Sequence, residues 1–121
     1  MTTDHRSDVT LWHNARCSKS RGARALLDES GVDVGVREYL KDPPTRAELE
    51  RLMAQLDIDD PRDMVRTGED AYGQLGLAEA GRDELLDAIV ANPILLQRPI
   101  VVRGEAAVIA RPPDVVRNLL T

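Results

Sequence analysis

The residue best equipped for covalent chemistry in this 121-residue chain is its single cysteine, Cys17. It falls between a short apolar run, VTLW (residues 9–12), and a stretch of helical spacing that starts at Ser18. A thiol at a helix N-terminus meets backbone N–H groups that lack helical partners and the positive end of the helix dipole. Both favour the thiolate, which is the nucleophilic form. Residues 9–27 hold no acidic side chain but carry Arg16, Lys19, Arg21 and Arg24. In a chain of formal net charge -5, that local reversal favours the thiolate and draws in an anionic substrate. The same N–H groups suit a tetrahedral oxyanion. Ser18 and Ser20 add hydroxyls within reach, and His13, read as the first residue of the loop before Cys17, is placed to stabilise the thiolate. Residue type alone leaves plainer readings open. A lone cysteine is often a small buried hydrophobe, and a lone histidine is an ordinary polar loop residue.

The elements that must position Cys17 follow from hydrophobic spacing. Residues 9–12 read as a strand, and a helix runs from about Ser18 to Ser30 with Ala23, Leu26 and Leu27 inward and Gly31 as its stop. Residues 34–39 alternate as a second strand. Strand, helix and strand at this spacing predict a right-handed parallel βαβ unit. The middle is helical. Thr45 and Glu48 form a capping box ahead of the apolar face made by Leu49, Leu52, Met53 and Leu56. Asp60-Pro61 has the form of an N-cap followed by an N1 proline, opening a shorter helix. A further helix over about Arg82 to Ala91 carries Leu85, Leu86, Ile89 and Val90 and halts at Asn92-Pro93. Residues 100–103 and 106–109 are β-like, and the intervening Gly104-Glu105 suits a type II′ hairpin. A final helix opens at residues 111–114, with Val115, Val116, Leu119 and Leu120 inward. The predicted class is α/β with a mixed sheet, in the order βα, β, helical insertion, ββα. It is organised as a polar N-terminal tail over residues 1–8 and one domain over 9–121.

Composition narrows the function. Hydrophobic residues make up 42% and charged residues 31%, as in an ordinary globular domain with a real core. Aromatics are only 2%, with no Phe, which excludes a base-stacking platform for nucleic acid. The negative net charge speaks against a phosphate-backbone partner. No apolar run approaches the roughly 20 residues a membrane span needs, and the polar start lacks the apolar stretch of a signal peptide. One cysteine forms no internal disulfide, so the expected compartment is a reducing cytoplasm. No metal or bound cofactor is expected, because His5, His13 and Cys17 have no ligand spacing.

Several motifs carry a resemblance. HNARCSKSR (residues 13–21) resembles the active-site loop of the glutaredoxin-dependent arsenate reductases, the ArsC family. YLKDPP (39–44), QLGLAE (74–79), NPILLQRPIVV (92–102) and RPPDVV (111–116) match in order, so the similarity covers roughly residues 9–120. It implies a thioredoxin-like fold with a helical insertion, in agreement with the element order above. It further implies that Cys17 attacks arsenate while three arginines gather round the oxyanion. By motif these are Arg66 in MVRT (64–67), Arg98 and Arg111. Guanidinium groups bind such oxygens bidentately and neutralise their charge. On residue type alone, Arg66 would be a surface helix residue, and Arg98 and Arg111 structural ones. Arg98-Pro99 also resembles the loop of thioredoxin-like folds whose X-Pro bond is cis, which would turn Arg98 toward the cysteine. The reductants implied are glutathione or another low-molecular-weight thiol as co-substrate, then a glutaredoxin-like protein.

Two departures stand out. Ala15 occupies a position that is usually proline in the family loop, and Arg16 stands where a small residue is common. Position 20 is Ser20, so there is no C-x-x-C pair and no self-contained dithiol cycle. The rival readings are an Spx-type regulator that binds RNA polymerase and another thioredoxin-like protein, whether a thiol oxidoreductase or redox-silent. Arg66 and Arg111 favour the reductase, since a polymerase-binding module needs no anion clamp.

Overall fold

The structure is a computed structural model, and residues 9–120 are described. The tail expected over residues 1–8 therefore lies outside the described residues. The chain divides into two compact units, one built from its two ends and the other from residues 39–97.

The first unit holds a four-stranded sheet in the order β2-β1-β3-β4. β1 (Val9–His13) runs parallel to β2 (Val34–Glu38), while β3 (Ile100–Arg103) runs antiparallel to both β1 and β4 (Ala106–Ile109). This is the mixed-sheet, thioredoxin-like order expected. Between β1 and β2 lies α1 (Ser18–Ser30), which ends where Gly31 takes a left-handed φ of 79°. That conformation suits glycine because it has no Cβ to clash. Side chains alternate along a strand, so Val9 and Leu11 point to one face, where Ala23 and Leu27 of α1 meet them. Val101, Ala110 and Val116 complete a fully buried cluster. The hairpin turn has Gly104 at φ 60° and Glu105 outside the positive-φ region, the pattern a type II′ turn requires. The last helix differs from expectation in its start. Pro113–Val115 form a 3-10 turn, and only then does α5 (Val116–Leu120) begin. Pro113 opens that turn at a position where an N–H would have no helical partner. Arg103 donates to the carbonyl of Leu120 at 3.1 Å, satisfying a group left open at the end of α5.

The second unit is the helical insertion. α2 (Arg46–Leu56) opens with the expected capping box, Thr45 accepting from the Glu48 amide and Glu48 accepting from the Thr45 amide. Its Leu49, Leu52 and Met53 are buried. Asp60 caps Pro61–Met64, which is a 3-10 turn and not a full helix. α3 (Asp70–Gln74) and a 3-10 turn at Leu77–Glu79 were not foreseen. They are pinned by Arg62, which donates to the Tyr72 hydroxyl at 3.1 Å and to the carbonyls of Leu77 at 3.0 Å and Ala80 at 2.8 Å. α4 (Arg82–Ala91) buries Leu85, Leu86 and Ile89 and stops at Asn92-Pro93, as expected.

Candidate active site

Cys17 is the N-cap of α1, with extended backbone (φ -95°, ψ 123°). The chain reaches it through a tight turn in which the Cys17 amide donates to the Asn14 carbonyl at 2.9 Å. It is a half-buried, free thiol. Partial burial pushes its pKa up, since an anion loses water there, but other influences outweigh that cost. The amides of Ser20 and Lys19 and the guanidinium of Arg98 leave the Cys17 pKa below the ordinary thiol value. The neutral thiol closes no cap hydrogen bond of the Ser or Thr kind. The helix amides act chiefly on the anion, whose charge they meet.

The sequence placed His13 in the loop, but it is the last residue of β1. It is the third residue of the Val9, Leu11, His13 series, so its ring points to the α1 side of the sheet, and it is buried. There Nδ1 lies 2.8 Å from Ser20 Oγ. Burial lowers the His13 pKa, Arg24 and Arg21 lower it further, and Glu38 opposes them. A neutral imidazole gives no ionic support to a thiolate, so the direct electrostatic role expected of His13 is not what its surroundings favour.

Ser20 also departs from expectation. Ser20, Ala23 and Leu27 share the buried stripe of α1 and are each 0% exposed. The Ser20 hydroxyl faces His13 and the Asn14 amide, the latter at 3.0 Å, and is not turned outward to a substrate. What Ser20 offers the sulfur is its backbone N–H. Ser18, the first residue of α1, remains exposed.

The Arg98-Pro99 bond is cis, as the resemblance implied, and so is Arg111-Pro112, which was not foreseen. Arg98 is half-buried and acts on Cys17 by hydrogen bond and charge. Arg111 is exposed, and its Nη1 donates to the Arg98 carbonyl at 2.9 Å. The structure thus links Arg98 to Cys17 through its side chain and to Arg111 through its carbonyl, all within the sheet unit. Arg66 belongs to the insertion. Its amide donates to the Leu95 carbonyl at 2.7 Å, next to the Val65–Leu96 bridge, and its guanidinium is paired with Glu69 at 3.6 Å.

Asn14 was missed as a site residue. It is buried, and it holds the turn through its carbonyl and through Oδ1, which accepts the Arg16 amide at 3.0 Å. A buried Asn directly before a reactive turn follows from its fitness for such side-chain-to-backbone bonds, a signal available in the sequence. Among the described residues, no group of three or more His, Cys, Asp or Glu is placed to hold a metal ion. No helix among them is long and apolar enough to cross a membrane. The arrangement can do one kind of chemistry well: nucleophilic attack by a stabilised thiolate on an anion held by amides and guanidinium groups.

The chain is similar to known proteins over most of its length. The chain is 40% identical over 114 residues to an arsenate reductase of Rhizobium meliloti strain 1021, covering 93% of this chain and 81% of that protein. It is 39% identical over 115 residues to an arsenate reductase of Neisseria meningitidis strain Z2491, covering 93% and 98%. The solved arsenate reductase from Vibrio cholerae superposes with a TM-score of 0.90 at 38% identity, covering 94% of this chain and 98% of that one. The ArsC family model matches residues 12–119, and the chain belongs to the ArsC family.

Proposed function

We propose that this protein reduces arsenate to arsenite, with Cys17 as its nucleophile and external thiols as its reductants. The observation that carries the reading is the position of Cys17 as N-cap of α1, where two helix amides and Arg98 favour the thiolate against the cost of partial burial. The family and the names of its relatives support arsenate as the oxyanion.

The steps follow from there being one cysteine. The Cys17 thiolate attacks arsenic and displaces hydroxide, which leaves as water after taking a proton, and an S–As(V) bond forms. Arg98 and Arg111, with the α1 amides, offset the charge on the arsenate oxygens. The family motif gives Arg66 a part in the same charge stabilisation. A second thiolate then attacks Cys17 sulfur. The S–As electron pair departs with arsenic, which becomes arsenite, while the two sulfurs each lose one electron and form a mixed disulfide. Glutathione or a similar small thiol fits the second role, and a glutaredoxin-like protein releases Cys17 by thiol–disulfide exchange. Such a cycle needs a reducing compartment such as the cytoplasm.

The test is intact-mass analysis after one turnover with arsenate and glutathione, without glutaredoxin. A glutathione adduct on Cys17 that disappears when glutaredoxin is added supports the reading. Turnover without a Cys17 adduct, or binding of RNA polymerase by a chain that leaves arsenate unreduced with any thiol, would overturn it.

A further inference from the structure

One buried hydroxyl ties together the residues that lead into Cys17. Ser20 Oγ, on a residue that is 0% exposed, accepts the Asn14 N–H at 3.0 Å and lies 2.8 Å from His13 Nδ1. Asn14 then accepts the Cys17 amide at 2.9 Å and, through Oδ1, the Arg16 amide at 3.0 Å. A hydroxyl has one proton to give and two lone pairs. With one lone pair taken by Asn14, a hydroxyl that gives its proton to His13 Nδ1 uses both its donor and an acceptor, an arrangement that requires the His13 proton on Nε2. The groups around the ring act in the same direction on balance: burial first, then Arg24, with Arg21 adding to them and Glu38 opposing. Ser20 therefore stands at both ends of the turn, its amide favouring the thiolate and its hydroxyl holding the backbone that presents the sulfur.

We propose that Ser20 is the positioning residue of this active site, its hydroxyl clamping a neutral His13 and the Asn14 amide so that the turn at residues 14–17 holds the Cys17 sulfur against the α1 amides and Arg98. This rests on Cys17 being the nucleophile, and it assigns the Ser20 side chain to the loop and not to the oxyanion. Loss of the hydroxyl leaves the Asn14 N–H and His13 Nδ1 buried without that partner. Such a defect is relieved by movement of the turn.

The test uses Ser20→Ala, shown to be folded by circular dichroism, and follows the pH dependence of Cys17 alkylation with no substrate present. The expected result is a midpoint raised by about half a unit or more, or about threefold less thiolate near neutral pH. A folded Ser20→Ala protein with the wild-type midpoint would overturn the proposal, even where its melting temperature falls. A second measurement needs no variant. In ¹⁵N NMR spectra of the wild-type protein, His13 is expected as the Nε2–H tautomer, and the Asn14 amide is expected to shift at the Cys17 midpoint. An Nδ1–H tautomer, or an Asn14 amide that does not respond to Cys17 ionisation, would overturn it. A wild-type Cys17 that titrates as an ordinary thiol would instead remove the nucleophile reading itself, so the two failures are distinct.

Discussion

Arg111 Nη1 donates to the backbone carbonyl of Arg98 at 2.9 Å, so one arginine of the site fixes the loop that carries the other. A guanidinium has five N–H donors, and holding this carbonyl leaves Arg111 others for an anion. Arg111→Lys keeps the charge but replaces the fork with a point charge. The expected outcome is a raised KM for arsenate, with the midpoint of Cys17 alkylation little moved. Steady-state kinetics beside an alkylation profile check it, and an unchanged KM would remove Arg111 from the oxyanion.

Arg98 acts on the sulfur directly, so its loss should be felt without any substrate. Arg98→Ala is expected to raise the midpoint of Cys17 alkylation, because one of the influences that favour the thiolate goes while the burial that opposes it stays. Arsenate turnover should fall by about 10²–10³-fold, the usual cost of one lost donor to a developing anion. Iodoacetamide kinetics across pH give the first number, and a midpoint equal to wild type would contradict it.

His13 makes stability depend on pH. Its folded pKa is depressed by burial and by Arg24, so the unfolded chain binds more protons in the window below the ordinary histidine value of about 6.5. The contribution is fully present above that value and is lost as pH falls through the folded pKa. Denaturant melts of wild type and His13→Gln should therefore converge on acidification, the wild type losing stability more steeply below pH 6.5. Parallel curves would show that His13 does not titrate as described.

Packing changes remote from the thiol should separate stability from chemistry. Leu27→Ala empties a fully buried position in the sheet unit and is expected to cost about 2–5 kcal/mol. Thr45→Ala removes the cap of α2 and is expected to cost about 1 kcal/mol. Urea titration measures both. Thr45→Ala lies in the insertion and should leave the midpoint of Cys17 alkylation where it was; a shift there would mean that capping of α2 reaches the thiol.

Much of the frame was legible because local signals agreed with it. Gly31 after the α1 pattern, the Thr45–Glu48 box, Asn92-Pro93 and Gly104-Glu105 each marked a boundary that the fold uses. The 3-10 turns and α3 were less visible. They are short and lean on Arg62, whose bonds to Tyr72, Leu77 and Ala80 span 10 to 18 residues of sequence. At the site, Cys17 could be read from its place before α1, and Arg98 and Arg111 through motif resemblance. The roles of His13 and Ser20 could not. Both depend on which way a side chain points. The strand alternation through Val9, Leu11 and His13 and the α1 stripe of Ser20, Ala23 and Leu27 held that answer, but only once β1 was known to include His13. The pairing of Arg66 with Glu69 is a local i, i+3 contact that motif matching does not register.

The most direct measurement of the central claim is arsenite formed from arsenate, quantified by arsenic speciation, with glutathione, glutaredoxin and NADPH-linked glutathione recycling. Wild-type protein should form arsenite in proportion to enzyme and arsenate, and Cys17→Ser should form none above the protein-free reaction. Equal arsenite from wild type and Cys17→Ser would contradict the assignment of Cys17 as the nucleophile.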